Sequence, residues 1–237
     1  MKVIAIGDIH GRTIWKQIVE KEKDADKIIF IGDYLDSHEE ITGTQQSSNF
    51  REILEYKKTN PTKVILLFGN HDYHYITTAI GEEYSGYQPV FALEFKELLD
   101  NAIKKNLVQM CYIQDFGKGN GKFLFSHAGI TETWCKKWDV DIQNVEESIN
   151  LIFKYKPLSF RFSGWDPYGN DVTQSPIWVR PESLMQDRIK GYIHVVGHTT
   201  QMRGINIKNE PNIILIDTLI VNEYLIIDNG ELIVGKI

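Results

Sequence analysis

The run Lys2-Val3-Ile4-Ala5-Ile6 followed by Gly7-Asp8-Ile9-His10-Gly11, KVIAIGDIHG over residues 2–11, governs how the rest of the chain is read. Its apolar, β-branched first half predicts a buried strand, and Gly7-Asp8 ends it. Residues 13–23 then carry Ile14, Trp15, Ile18 and Val19 at helical spacing, so the segment reads strand, loop, helix. The pattern recurs: residues 27–31 are apolar and stop at Gly32-Asp33, 47–58 have helical periodicity, and 64–68 stop at Gly69-Asn70. Strands separated by helical segments imply right-handed parallel crossovers, so three polar tips should lie side by side on one edge of a single sheet.

Farther along, residues 90–105 read as a helix, 107–114 and 122–125 as strands, and 145–156 as a helix. The second of these strands runs into Ser126-His127-Ala128-Gly129, and the glycine-rich stretch 117–121 between the two predicts a hairpin turn. Residues 158–180 are aromatic and contain Gly and Pro with little periodicity, which predicts irregular chain. The C-terminal third gives strands over 192–196, ending at Gly197-His198, and 212–216, ending at Asp217. A closing pair, 223–227 and 231–234, meets at Asp228-Asn229-Gly230, a hairpin signal. With no repeat, low-complexity tract or linker, and polar strand tips at both ends of the chain, one domain over 1–237 is expected.

The 237 residues are 42% hydrophobic and 24% charged, and 26 basic against 32 acidic side chains give a net charge of −6. These proportions predict a soluble globular protein long enough to bury a substantial core without staples. Cys111 and Cys135 have no CxxC spacing and no zinc-knuckle neighbours, so they read as structural thiols in a reducing, cytoplasmic setting. The first residues lack a cleavage pattern and no stretch approaches the ~20 apolar residues of a spanning helix, so secretion and membrane insertion are not expected. A modestly acidic balance argues against coating nucleic acid and leaves a phosphorylated substrate open.

The strand tips supply Asp8, His10, Asp33, Asn70, His127 and His198, each within a few residues of an apolar run. Turn or helix-capping duty explains Asp and Asn after a strand, but not histidines at three separate tips. This set of oxygen and nitrogen donors suits borderline divalent ions such as Mn²⁺, Fe²⁺ or Zn²⁺, whereas thiolates would suit softer metals. Six candidates exceed one tetrahedral site. Two ions about 3.5–4 Å apart, sharing a carboxylate and a hydroxide, would use them all, and that arrangement suits displacement at phosphorus.

Five ordered blocks, GDIHG at 7–11, GDYLD at 32–36, GNHD at 69–72, HAG at 127–129 and GHT at 197–199, resemble the metal-binding motifs of the calcineurin-like metallophosphoesterases. Within that superfamily the chain most resembles the phosphoprotein phosphatase (serine/threonine phosphatase) branch of bacterial and phage type. The resemblance runs from Gly7 to at least Thr199. It implies an α/β fold, a two-sheet β-sandwich flanked by helices in α/β/β/α layers, with a dinuclear site where the tips converge. It further implies that Asp8 and His10 hold a first ion, that Asp33 bridges, and that Asn70, His127 and His198 hold the second, with manganese ahead of iron or zinc. His71 would donate a proton to the leaving oxygen and Asp36 would orient it. A carboxylate beside an imidazole raises its pKa and fixes its tautomer, which gives the pair physical sense. Arg180, in Trp178-Val179-Arg180-Pro181, resembles the branch's phosphate-binding arginine, and a guanidinium suits phosphate by its bidentate geometry.

The chain also departs from the branch. Ser37 stands where a phosphate-binding arginine is expected, so Arg12, directly after GDIHG, is the second candidate for that duty, with a plain surface position as its alternative. Asp72 occupies a place where Glu is common and is expected to support the site from behind. Residues 37–49 are polar and predict a surface loop. Asp217 is expected to hydrogen-bond a ligand histidine, or else to serve as a turn residue. Phe160, Phe162, Trp165, Tyr168 and Trp178 predict core or interface packing ahead of a recognition cap. His38, His74 and His194 are given no role.

The expected activity is metal-dependent phosphoester hydrolysis, by in-line attack of a hydroxide held between the ions, with phosphoserine or phosphothreonine in proteins as the leading substrate. Two rivals stay open: a nucleotide or dinucleoside-polyphosphate hydrolase, and a metal-binding module whose turnover is lost with the arginine missing at Ser37.

Overall fold

Every residue of the opening strand except Lys2 is buried, because both of its faces are covered. The computed structural model describes residues 1–237 except 77, 78, 80, 118, 120 and 208–211. Its strands are β1 (Lys2–Ile6), β2 (Lys27–Phe30), β3 (Val64–Leu66), β4 (Cys111–Asp115), β5 (Lys122–Ser126), β6 (Ile193–Val196), β7 (Ile213–Leu215), β8 (Glu223–Asp228) and β9 (Glu231–Lys236). They form two sheets, one of order β3-β2-β1-β8-β9 and one of order β4-β5-β6-β7. β1, β2 and β3 run parallel, with Val3 opposite Lys27 and Ile28 opposite Val64. β5, β6 and β7 run parallel in the second sheet. The first three tips therefore share one sheet edge, as the crossover pattern predicts.

The period-2 alternation of each strand sorts its side chains. Val3, Ala5, Ile29 and Ile31 meet Phe123, Phe125, Val195 and Ile214 in an apolar layer between the sheets. Ile4, Ile6, Ile28 and Phe30 instead join Ile18 of α1 (Trp15–Lys21) and Phe50 and Ile53 of α2 (Gly43–Thr59). Among the described residues the other α-helices are α3 (Asn70–Tyr73), α4 (Ala92–Lys104), α5 (Glu132–Lys137), α6 (Val145–Tyr155) and α7 (Pro181–Asp187). Leu124 of β5 lies in the same apolar cluster as Trp134 of α5 and Ile149 and Phe153 of α6. Each such fully buried side chain stabilises the fold by about 1.5–3 kcal/mol. Two sheets flanked by helices is the architecture the motifs imply. Among the described residues no helix is long and apolar enough to cross a membrane.

Several expectations are corrected. Residues 43–49 are not surface loop: the Thr42 hydroxyl accepts the Gln45 N–H and the Gln45 side chain accepts the Thr42 N–H, a capping box that starts α2 early. Gln46, Ser47 and Asn49 are consequently buried. The strand expected from residue 107 begins only at Cys111, because the chain is still turning off α4, with Leu107 N–H donating to Ala102 O. Helices α3, α5 and α7 span too few residues for periodicity to reveal them. β4 and β5 pair as a hairpin with Asp115 opposite Lys122, while Lys118 and Asn120 of the predicted turn lie outside the described residues. Phe160 and Trp178 are buried, but Trp165 and Tyr168 are 83% and 79% exposed. Cys111 and Cys135 are buried free thiols, and burial pushes Cys135 up to about 12.

Candidate metal centre

Parallel strands deliver their C-terminal ends to one edge, and the site is built there. Asp8 and His10 follow β1, Asp33 and Asp36 follow β2, Asn70 and His71 open α3 just after β3, His127 follows β5, and His198 follows β6. The chain must turn sharply at these points. His10, Asp33, Asp36 and His198 accordingly take left-handed backbone angles, with φ of 44°, 49°, 58° and 61°. Such angles cost a non-glycine residue on the order of 1 kcal/mol or more and persist where the surroundings impose them.

All six predicted ligand residues come together. Asp33 Oδ2 stands 3.3 Å from His127 Nε2 and 3.8 Å from His10 Nε2. Donor atoms of Asp8, His10 and Asp33 lie within 4.8 Å of one another. Asn70 Oδ1 is 2.8 Å from both His127 Nε2 and His198 Nδ1. Asp33 thus lies between an Asp8/His10 group and an Asn70/His127/His198 group. His10 Nδ1 donates to Leu35 O at 2.9 Å and His127 Nδ1 to Ile31 O at 3.0 Å, which turns the Nε2 of each ring toward Asp33, where it would offer its lone pair to a cation in the neutral form.

The residues fit divalent cations on two further grounds. Asp8 Oδ1 and His198 Nε2 are buried without a hydrogen-bond partner, an expensive condition for polar atoms that a cation nearby would relieve. The charges are also unbalanced. Burial and the neighbouring Asp217 hold the Asp8 carboxyl well above the ordinary carboxylate range. Burial would raise Asp33 as well, but His127, His71 and His10 outweigh it and hold that carboxyl well below its usual range. Burial opposes charge on His127, yet Asp33 and Asp8 push it up to about 9, while burial, His127 and Arg180 hold His198 well down. A dense, mixed set of this kind is where bound cations usually dominate the local charge.

Around this set, Asp36 Oδ2 accepts from His71 Nδ1 at 3.1 Å, bringing together the expected proton-donor pair. Burial would lower the His71 pKa, but Asp33 and Asp36 outweigh it and raise it. Asp72 accepts the Tyr34 and Gly69 N–H groups at 2.9 and 3.0 Å, tying the second motif loop to the third from behind. Asp217 does not bond a ligand histidine. Its carboxylate accepts the Thr200 hydroxyl at 2.6 Å, while the ring Nδ1 atoms of His10, His127 and His198 face Leu35 O, Ile31 O and Asn70 Oδ1 instead.

A cavity of about 500 Å³ opens onto these residues, lined also by Arg12, His38, Tyr84, Trp178 and Arg180. Arg180 donates from Nε to Tyr168 O at 3.0 Å and from Nη1 to His198 O and Thr199 Oγ1 at 3.1 and 3.2 Å. Arg12 reaches the same cavity but is paired to Glu39 at 2.6 Å and donates to Asp8 O at 3.3 Å. Two histidines given no role from the sequence are here: His38 at the mouth, 5.5 Å from the His10 ring, and His74, whose Nε2 lies 2.6 Å from Asp36 Oδ2. The signal for His74 was its place three residues after His71 in GNHDYH, one turn along a helix.

The sequence profile of the calcineurin-like phosphoesterases matches residues 1–202. Among curated proteins, none matches the chain. Among solved structures, a cold-active protein-tyrosine phosphatase of a psychrophile, Shewanella sp., is 19% identical with a TM-score of 0.61, over 99% of this chain and 77% of that one. A protein serine/threonine phosphatase from Saccharomyces cerevisiae with similarity to human phosphatase PP5 is 12% identical with a TM-score of 0.54, over 99% and 79%. A metallophosphoesterase from Sphaerobacter thermophilus is 12% identical with a TM-score of 0.50, over 100% and 88%. At these identities the likeness is one of fold.

Proposed function

The chain belongs to the calcineurin-like phosphoesterase family, and from that premise we propose a single-domain, dinuclear protein phosphatase of the phosphoprotein phosphatase branch, bacterial and phage type, working in the cytoplasm. Membership of the family supports metal-dependent phosphoester hydrolysis as such. The observation behind the dinuclear part of the reading is Asp33, whose Oδ2 faces His10 Nε2 at 3.8 Å and His127 Nε2 at 3.3 Å, so that one carboxylate could serve both halves of the donor set. In this reading Asp8, His10 and Asp33 hold one ion, and Asp33, Asn70, His127 and His198 hold the other. Manganese is the first choice, and iron or zinc suits the same donors. Ions bound there would supply a nucleophile at neutral pH and neutralise charge developing on the phosphoryl oxygens.

The chain's own groups bind and protonate. Three of the five Arg180 N–H groups are engaged by oxygens, so the guanidinium is held in place with its Nη2 pair left for phosphate. Arg12 has its charge offset by Glu39 and serves less well. His71 delivers a proton to the leaving oxygen from Nε2, because Asp36 keeps its other proton on Nδ1.

The test is a substrate panel in Mn²⁺: phosphoserine, phosphothreonine and phosphotyrosine peptides, mononucleotides, and a dinucleoside tetraphosphate, with 4-nitrophenyl phosphate as general probe. Highest kcat/KM on phosphoserine or phosphothreonine peptides supports the reading. A preference for nucleotides moves the assignment to the rival hydrolase, and no turnover with any divalent ion leaves a metal-binding module.

A further inference from the structure

His74 lies outside the five motifs, yet it is buried against the centre of the proton-donor pair. Both oxygens of Asp36 are doubly engaged. Oδ1 accepts from the Tyr75 hydroxyl at 2.6 Å and the Gln88 amide at 3.0 Å. Oδ2 faces His71 Nδ1 at 3.1 Å and His74 Nε2 at 2.6 Å, so the His74 contact is the closer of the two. His74 Nδ1 accepts the backbone N–H of Tyr84 at 3.2 Å. A neutral imidazole has one acceptor nitrogen and one N–H, so the proton sits on Nε2 and is donated to Asp36. The same tautomer leaves no lone pair at Nε2 for a cation. Although donor atoms of Asp36, His71 and His74 lie within 4.8 Å of one another, the cluster is therefore a hydrogen-bonded chain and not a third metal site.

We propose that His74 is a positioning residue for proton transfer to the leaving group: it fixes the Asp36 carboxylate, which in turn fixes His71. The inference rests on the reading of His71 as the proton donor. Asp36 sits on a left-handed turn, φ 58°, and without His74 its Oδ2 keeps a single donor and the carboxylate gains freedom to swing. The segment 81–91 closes over the pair and is anchored on the same residues. Tyr84 N–H bonds His74, and Gln88 N–H donates to the Tyr75 hydroxyl at 2.8 Å. Gly86, at φ +91°, passes so close that a Cβ there would stand 3.2 Å from His71 Cε1 and Nδ1.

A nitrophenolate departs without a proton, whereas the alkoxide of serine needs one, so leaving-group dependence reads the position of His71 directly. His74→Leu should lower kcat on a phosphoserine peptide by about tenfold or more and on 4-nitrophenyl phosphate by less than about threefold, with KM and metal content within about twofold. His74→Gln, which keeps an N–H at the same reach, should return kcat on the peptide toward the parent value. Tyr75→Phe removes one hydroxyl and should shift the ratio the same way by a smaller factor, which keeps the test intact if the leucine variant does not fold. In ¹H–¹⁵N spectra of the zinc-loaded protein, taken at a pH where His71 is neutral, its one proton should stay on Nδ1 in the parent and exchange between the two nitrogens in His74→Leu. An equal loss on both substrates, no loss on either, or no rescue by glutamine overturns the proposal. His71→Asn is the companion measurement. If it lacks the leaving-group signature, the proton-donor reading falls and this inference with it; if it shows the signature and His74→Leu does not, only this inference falls.

Discussion

Gly32→Ala should separate the two loops that carry Asp33 and Asn70. Gly32 holds φ +111°, where an L side chain is strained by about 1–3 kcal/mol. The added Cβ would stand 2.7 Å from Gly69 N and 3.0 Å from Gly69 Cα and Phe68 C, all backbone atoms of the facing loop. Ordinary contact begins at 3.4 Å, so the loops must part by about 0.7 Å, an overpacking that costs a further ~1–3 kcal/mol. A combined loss of about 2–6 kcal/mol should lower the melting temperature by roughly 4–24 °C in a chain of this size. Asp33 and Asn70 follow Gly32 and Gly69 directly, so the same shift opens the donor set. A misplacement approaching 1 Å costs on the order of 100-fold, so kcat/KM on 4-nitrophenyl phosphate should fall roughly 20–100-fold, with metal content reduced by elemental analysis. Leu99→Ala in α4, a buried substitution expected to cost about 2–5 kcal/mol, serves as the stability-matched control and should keep its kcat/KM below its own melting temperature. A Gly32→Ala protein with parental activity, or one no more impaired than Leu99→Ala, would refute the reasoning.

Asp33→Asn should weaken occupancy of both ions together, and unchanged metal content by elemental analysis would count against a shared carboxylate. Arg180→Ala should raise KM for a phosphopeptide by about tenfold or more, whereas Arg12→Ala, whose partner is Glu39, should raise it by less than about threefold; equal effects would sink the distinction. His194 is fully buried, donates from Nε2 to Ile189 O at 3.1 Å, and is held by burial down to about 4, below its ordinary value of 6.5. The unfolded chain therefore takes up a proton before the folded one, and stability is lost as pH falls from about 6.5 to about 4, by about 3 kcal/mol in total and about 2 kcal/mol at pH 5. Urea denaturation at pH 7 and pH 5 should show that loss in the parent and not in His194→Gln; parallel pH dependences would refute it.

The donor residues could be read from the sequence because each follows an apolar run, and parallel topology carries the end of every such run to the same edge. His74 could not. Its part depends on the Tyr84 N–H returning to it from ten residues away and on Asp36 thirty-eight residues before it, and neither contact leaves a period in the sequence. Asp217 misled for a related reason. Its position at a strand end was read correctly, but its hydrogen bond goes to Thr200, since the Nδ1 atoms of the three histidines already face Leu35 O, Ile31 O and Asn70 Oδ1. The early start of α2 was in plain view as Thr42-x-x-Gln45, and the polar residues behind it looked like loop only because three of them face inward.

What side-chain reasoning misses most is the work of the backbone in residues 31–36. Asp33 lies at the centre of that segment, but Ile31 O sets the tautomer of His127, Leu35 O sets that of His10, Tyr34 N–H binds Asp72, and Asp36 holds His71. One turn after β2 therefore orients a proposed ligand from each half of the donor set, ties in the third motif loop, and aims the proposed proton donor. Three of those four links use carbonyl or amide groups that any residue type would supply, so they depend on the turn's shape and not on its letters. The left-handed angles at Asp33 and Asp36, φ 49° and 58°, give the turn that shape. The spacing of the two aspartates in GDYLD thus records a backbone geometry as well as two carboxylates, and a substitution that preserved both side chains while straightening the turn would still dismantle the site.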